Sequence, residues 1–218
     1  GQEAPRQRQA GPRTHPGHRG LNAPGYVLPL PPSAPRSGHP FTRWLARSVL
    51  RLGGWKMEGA WPDVERVVVI AAPHSSMWDA WWGILAKIAM GVRVEFLAKK
   101  EAFFWPLGSI LRAVGGFEVD RKSPAGVVEQ LIARVKPGTR HWLVIAPEGT
   151  RKRVQKWKTG FWKIATGAQV PVVCAYFHYP DKTIGIGPAL TMSGDLERDM
   201  ATVREFYRPF QGKHRGTT

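Results

Sequence analysis

Hydrophobic positions along this chain follow two spacings, and each spacing predicts its own kind of element. Short β-branched runs such as Val67–Ala71 are typical of strands that are buried on both faces. Apolar residues three and four apart, as in Trp78–Met90, indicate helices. The other predicted strands are Trp55–Gly59, Val94–Ala98, Phe117–Asp120, His141–Ala146, Val170–Phe177 and Ile184–Ile186. The other predicted helices are Phe41–Leu52, Glu101–Ala113, 123–135, Phe161–Ala168 and a closing helix around 196–210.

Strands that alternate with helices in this way predict an α/β fold. We expect a single domain, residues 53–212, in which helices flank a mostly parallel central sheet. Residues 1–40 hold nine prolines, five arginines and a single acid, Glu3. Such a segment has little apolar area to bury against the entropy cost of ordering, so we expect a disordered tail.

Residues 41–52 are predicted to form an amphipathic helix at a membrane interface. Its apolar face holds Phe41, Trp44, Leu45, Val49 and Leu52, and Arg43, Arg47 and Arg51 line the other face. An aromatic stripe opposite a purely basic stripe suits a helix that lies among anionic lipid headgroups. The alternative is a helix that docks on the protein's own core and keeps a solvated basic face.

The composition limits which classes of partner and site the chain can have. A net charge of +16 and a pI near 10.7 favour an anionic partner: nucleic acid, anionic lipid or a phosphorylated substrate. The single cysteine, Cys174, excludes an internal disulfide and a multi-cysteine zinc site, and we predict no metal. No apolar run reaches about 18 residues, and the N-terminal stretch lacks the apolar segment of a secretory signal. We therefore expect a peripheral protein without a transmembrane helix, on the cytoplasmic face of a membrane.

A candidate acid–base pair follows the most strongly predicted strand. His74 lies just after Val67–Ala71, and Asp79 lies five residues beyond it. Two residues five apart point to different faces of a helix, so they meet only if His74 is in the loop and Asp79 is in the first helical turn. Chance produces such a spacing often enough that the pair needs support from elsewhere in the chain.

That support comes from two other predicted strand ends. Arg121 follows Phe117–Asp120, and Pro147–Arg151 follows His141–Ala146. The carboxyl ends of parallel strands lie at one edge of a sheet, where ligands bind in open α/β folds. Arginine side chains match phosphate oxygens and a glutamate accepts a hydrogen bond from a hydroxyl, so the set suits an alcohol that also carries a phosphate.

These motifs resemble those of the glycerolipid acyltransferases, in particular the 1-acylglycerol-3-phosphate (lysophosphatidic acid) acyltransferases. The resemblance rests on His74-x4-Asp79, Gly116–Arg121, Pro147–Arg151 and Val170–Val173, four blocks in the family's order. Leu97–Glu101 is also similar to the family's lysine-containing segment.

The resemblance implies transfer of a fatty acyl group from acyl-CoA or acyl carrier protein (ACP) to the hydroxyl of a lysophospholipid, without a cofactor. It implies that His74 is the general base and that Asp79 orients it. The implied substrate-binding residues, which include phosphate-binding arginines and a hydroxyl-positioning glutamate, are Lys100, Arg121, Glu148, Gly149, Thr150 and Arg151. The backbone N–H of Gly149 or a neighbour is expected to help stabilise the oxyanion.

Two kinds of alternative remain open at this point. The acceptor is most simply 1-acylglycerol-3-phosphate, and another lysolipid or an amide-linked hydroxy acid is the alternative within the family. From a different class, the chain is a non-catalytic basic module that binds lipid or nucleic acid. The charge fits such a module, but the module gives no reason for the pair and the Pro147–Arg151 block to end separate strands, and we expect no nucleic-acid partner.

Overall fold

The computed structural model describes residues 23–98, 100–119, 126–150, 154, 156–214 and 216. Within these residues the chain forms an α/β domain with seven strands and six α-helices. The strands are β1 Lys56–Gly59, β2 Arg66–Ala72, β3 Val94–Leu97, β4 Gly116–Phe117, β5 His141–Ile145, β6 Val172–His178 and β7 Thr183–Leu190. The helices are α1 Pro40–Leu52, α2 Met77–Met90, α3 Leu107–Ala113, α4 Gly126–Arg134, α5 Gly160–Ala168 and α6 Leu196–Tyr207.

The strands form one sheet in the order β1-β7-β6-β2-β5-β3-β4. All neighbouring strands run parallel except β6 and β7, which are antiparallel. Only four residues join β6 to β7, too few for the crossover that a parallel pair needs. The predicted α/β fold with a mostly parallel sheet is therefore confirmed.

Strand β2 lies at the centre of the sheet and separates two cores. Side chains alternate across a strand, so Val67 and Val69 enter one core while Val68 and Ile70 enter the other. Helices α1 and α2 cover the first core, and α4, α5 and α6 cover the second. Cys174 of β6 is buried in the second core, and burial raises the pKa of its thiol to about 12. Cys174 is therefore a packing residue.

The predicted helix Glu101–Ala113 is wrong in its first half. A short 3-10 helix, Lys100–Ala102, is followed by α3, which begins only after Pro106. A proline inside a helix clashes with the carbonyl four residues earlier, and the residue before it avoids helical geometry.

The next strand was predicted as Phe117–Asp120, but it ends at Phe117 as β4. This strand lies at the sheet edge and pairs only with β3. The predicted start of α4 at residue 123 lies outside the described residues.

Residues 23–39 are ordered, so the predicted disorder of the whole 1–40 segment is wrong for this part. Leu28 and Ala34 are buried in the first core. The N–H of Met57 donates to the carbonyl of Tyr26 (3.1 Å), and that of Arg93 donates to the carbonyl of Pro35 (2.8 Å). The prediction relied on the many prolines and overlooked a short apolar stretch, whose carbonyls accept hydrogen bonds from the domain. Residues 1–22 lie outside the described residues.

Helix α1 is confirmed one residue longer than predicted, but the residues it buries are different. Ala46 and Leu50 pack into the first core. The predicted apolar face points away from the protein: Phe41 is 61% exposed, Trp44 62%, Leu45 47% and Leu52 88%. On the side facing α2, the Nε of Arg47 donates to the carbonyl of Ala89 (3.2 Å). Helix α1 therefore docks on the protein's own core, but through Ala46 and Leu50 and not through the predicted apolar stripe.

Candidate active site

The loop that joins β2 to α2 carries the predicted acid–base pair. Pro73, which has no N–H to continue the strand ladder, follows β2 directly. Ser76 caps α2, because its Oγ accepts a hydrogen bond from the N–H of Trp78 (3.2 Å). Asp79, at the third helical position, accepts one from the N–H of Ser76 (2.7 Å). This reciprocal capping box points the Asp79 carboxylate back toward the loop that holds His74.

His74 and Asp79 lie beside each other, as the spacing predicted. The Nδ1 of His74 is 3.6 Å from the Oδ2 of Asp79, an ion-pair distance that is longer than a hydrogen bond. The same Oδ2 accepts the N–H groups of Ser75 and Ser76, both at 2.7 Å. The Asp79 carboxylate is fully buried, whereas the His74 side chain is 26% exposed. A buried carboxylate held by backbone N–H groups at a helix N-terminus, beside a partly exposed imidazole, suits general-base catalysis.

Glu148 lies in the loop after β5 and connects that loop to the histidine. Its Oε1 accepts a hydrogen bond from the N–H of His74 (2.9 Å), and the residue is only 2% exposed. Strands β2 and β5 are parallel neighbours, so their carboxyl ends leave the same edge of the sheet. The loop that carries His74 and the loop after β5 are therefore in contact. The contact itself, in which a carboxylate braces the His74 backbone, was not predicted.

Gly149 occupies a position that only glycine fits well. Its φ of +65° lies in the left-handed region, and a Cβ there would come within 2.7 Å of the Lys158 side chain. Its N–H donates to the carbonyl of Ala146 (3.0 Å). This N–H is the donor that we expected to help stabilise an oxyanion, and it is already used in this hydrogen bond. Lys158, whose N–H donates to the carbonyl of Pro147 (2.9 Å), brings a positive charge over this loop. Lys158 was not predicted from the sequence, because a lysine that follows the Pro147–Arg151 block without belonging to a motif does not by itself indicate a site.

Tyr179 is a second residue that sequence reasoning missed. It follows β6 directly, and its hydroxyl donates a hydrogen bond to the Oδ1 of Asp79 (2.6 Å). Burial, and then the hydrogen bond to Asp79, raises the pKa of Tyr179 far above its usual range. The sequence shows that a tyrosine ends this strand, but not that β6 lies next to β2 in the sheet.

The C-terminal segment 211–214 also reaches the site. The carbonyl of Gln211 accepts the N–H of Tyr179 (2.9 Å), and the N–H of His214 donates to the Oγ of Ser75 (3.3 Å). The Nζ of Lys213 lies 4.8 Å from the centre of the Trp78 ring. No motif in the segment indicated this position.

Two of the other four predicted substrate-binding residues, Thr150 and Lys100, lie within the described residues. Thr150 follows Gly149 in the same loop and is half-buried. Lys100 is exposed in the 3-10 helix after β3, which runs parallel to β5 and so ends at the same sheet edge. Arg121 and Arg151 lie outside the described residues, so their predicted contact with a phosphate stays a prediction.

Comparisons with known proteins identify the family and support the fold. The family model described as Acyltransferase matches residues 58–178, more than half of the chain. The fold is similar to the crystal structure of the 1-acyl-sn-glycerophosphate (LPA) acyltransferase PlsC from Thermotoga maritima, with a TM-score of 0.51 and 20% sequence identity. That match covers 72% of this chain and 73% of the other. A comparison with curated proteins finds no match. The family match includes His74, Asp79 and Glu148 and ends one residue before Tyr179.

Proposed function

Because the chain belongs to the acyltransferase family, we propose that it transfers a fatty acyl group from acyl-CoA or acyl-ACP to the free hydroxyl of a lysophospholipid. The proposed acceptor is 1-acylglycerol-3-phosphate, which gives phosphatidic acid. One observation carries the proposal: the buried Asp79 carboxylate lies beside the partly exposed His74, and Glu148 braces the same loop from the neighbouring strand.

In the proposed mechanism, His74 takes the proton of the acceptor hydroxyl while the hydroxyl oxygen attacks the thioester carbonyl. Asp79 stabilises the imidazolium that forms. The tetrahedral intermediate then expels the thiolate, the imidazolium returns the proton to the sulfur, and the new ester leaves. The thioester is already activated, so no acyl-enzyme and no cofactor are needed.

The proposed acceptor is supported by charge and by the structural relative. A lysophosphatidic acid carries a phosphate, and Lys158 lies over the loop that holds Glu148. In this proposal Arg121 and Arg151 bind the phosphate, Lys100 and Thr150 line the substrate site, and Glu148 positions the glycerol hydroxyl in addition to bracing His74. The Thermotoga maritima relative is an enzyme that acts on 1-acyl-sn-glycerophosphate. Both proposed donors are anionic, which suits a chain with a net charge of +16.

We further propose that the enzyme works at the cytoplasmic surface of an anionic membrane, with α1 as its docking element. The apolar stripe of α1, namely Phe41, Trp44, Leu45 and Leu52, is exposed and belongs to neither core of the described residues. Met77, Trp78 and Trp81, at the start of α2 and near the catalytic loop, are exposed as well. Across the described residues, every helix is too short or too polar to span a bilayer.

The catalytic assignment predicts that His74→Ala and Asp79→Asn each lose acyl transfer to 1-acylglycerol-3-phosphate. We expect kcat to fall by about 100-fold or more, because a positioned general base contributes roughly 10²–10⁴ to a rate. His39→Asn and Asp181→Asn, which replace the same residue types on the exposed surface, should keep their activity. The measurement is transfer of labelled acyl chain from acyl-CoA and from acyl-ACP, with 1-acylglycerol-3-phosphate and other lysolipids as acceptors.

Full activity in either catalytic variant would refute the assigned roles. Equal or higher activity on a lysolipid without a terminal phosphate monoester would refute the acceptor and keep the acyl transfer. Circular dichroism confirms that each variant is folded before its activity is interpreted.

A further inference from the structure

Asp79 has two carboxylate oxygens, and different groups contact them. Oδ2 faces the Nδ1 of His74 and accepts two backbone N–H groups. Oδ1 accepts the hydroxyl of Tyr179 at 2.6 Å, the shortest of these contacts. We propose that Tyr179 is a positioning residue for the His74–Asp79 pair: it fixes the rotation of the carboxylate so that Oδ2 faces the imidazole. This inference rests on the proposed function.

Two contacts, together with the place of β6 in the sheet, hold Tyr179 in position. Its ring packs edge-on against Trp55, with the ring centres 5.0 Å apart and the planes at 89°. Its N–H donates to the carbonyl of Gln211 (2.9 Å). Strand β6 pairs directly with β2, so the residue after β6 leaves the sheet beside the catalytic loop. The phenol is therefore aimed at Asp79 by the core, the sheet and the C-terminal segment together.

The phenol donates throughout the pH range in which the enzyme can be assayed. Its pKa is raised, first by burial and then by the adjacent carboxylate, so the hydroxyl keeps its proton. Hydrogen bonds to a charged group are stronger than those between neutral groups. Removing the hydroxyl leaves Oδ1 buried without this donor, and the carboxylate can then turn away from the imidazole.

The same contact affects the protonation of the histidine. In this proposal the carboxylate is held with Oδ2 toward Nδ1, where it stabilises the imidazolium. Without the phenol the carboxylate turns away and this stabilisation is lost, so the imidazolium forms less readily. A general base must be neutral, so the acid limb of the activity will extend to lower pH while kcat falls, because the base is weaker and less well oriented.

Tyr179→Phe tests the inference, because it removes only the hydroxyl and keeps the ring on Trp55. We expect kcat to fall by about 10-fold, KM for the acceptor to change by less than about twofold, and the acid limb of kcat/KM to move to lower pH. The matched control is Tyr176→Phe. Tyr176 lies on β6, the strand that Tyr179 follows, and its phenol also donates to a carboxylate, that of Glu58. This control should show the wild-type pH profile even if its thermal stability falls.

The outcomes separate this inference from the proposed function. A wild-type kcat and pH profile in Tyr179→Phe, together with an inactive His74→Ala, would overturn the positioning role and leave the function standing. A loss of activity in Tyr179→Phe that matches the loss in Tyr176→Phe, with no change in pH profile, would reduce Tyr179 to a structural residue. Wild-type activity in His74→Ala would overturn both proposals.

Discussion

Asp79 has two roles that explain its distance from His74. Its carboxylate accepts the N–H of Ser76 as part of the capping box, and it also lies beside the imidazole. A capping box requires the acid three residues after the cap, and the histidine lies two residues before the cap. The five-residue spacing is thus the spacing of a helix start. Local chain geometry alone brings the acid to the base.

At Gly149, we predict that substitution by alanine destabilises the fold by about 1–2 kcal/mol, because a left-handed φ is costly for a residue with a Cβ. The alanine Cβ would also displace the Lys158 side chain. Urea unfolding measures the loss.

Gly138→Ala is the matched control for Gly149→Ala. Gly138 has a φ of +75° and no atom within 4 Å of the added Cβ, so it isolates the backbone cost. In a Lys158→Ala background, Gly149→Ala should fall to the same cost as Gly138→Ala. If Gly149→Ala still destabilises the Lys158→Ala protein more than Gly138→Ala destabilises the wild type, the extra cost does not come from Lys158.

At the scale of elements, α1 shows what a pattern can and cannot predict. The periodicity correctly located the helix. The side that the domain covers was decided by neighbouring elements: Ala46 and Leu50, which belong to neither predicted stripe, pack into the core, and the aromatic stripe is left outside. Deleting the helix would therefore remove core residues, and only substitutions on the stripe test its membrane role cleanly.

We predict that Trp44→Gln combined with Leu45→Gln weakens binding to vesicles of phosphatidylglycerol and phosphatidylcholine by about 10-fold or more. The reason is that both side chains would otherwise bury apolar area in the interface. Sedimentation with the vesicles measures the bound fraction. Arg204→Gln, an exposed substitution on α6, is the control and should bind nearly as the wild type does. Unchanged binding of the double variant, with a normal melting temperature, would show that α1 is not the docking element.

At the scale of the whole molecule, a half-buried lysine links helix α2 to the far edge of the sheet. The Nζ of Lys87 donates to the carbonyl of Val114, in the turn between α3 and β4. Burial, and then repulsion from Arg93, lowers the pKa of Lys87 to about 8 from 10.5. The charged amine is thus held inside the fold at neutral pH, at a cost in stability.

This link predicts how stability depends on pH. Between about pH 8 and 10.5 the unfolded chain holds the Lys87 proton and the folded chain has released it, so the free energy of unfolding rises with pH in this window. Relative to Lys87→Met, we expect the wild type to gain about 1–2 kcal/mol from about pH 7 to about pH 10, a value reduced for the partial exposure of the amine. Urea unfolding of both proteins at the two pH values checks it. A constant difference between them would mean that Lys87 titrates normally.

Local interactions determined what could be predicted from the sequence. Alternating and helical spacings located most strands and helices, and the capping geometry brought His74 to Asp79, because both depend on residues close in the chain. One failure was also local in origin, because Pro106 interrupts a helical pattern. The order of residues 23–39 was missed because it depends on contacts with distant residues such as Met57 and Arg93.

Only the tertiary structure decided what surrounds the catalytic pair. Glu148 and Tyr179 come from chain positions 74 and 100 residues away from their partners His74 and Asp79. They meet the pair because β5 and β6 are the two neighbours of β2. Strand order follows from how the crossover helices bury their apolar faces over the whole sheet, so no local pattern encodes it.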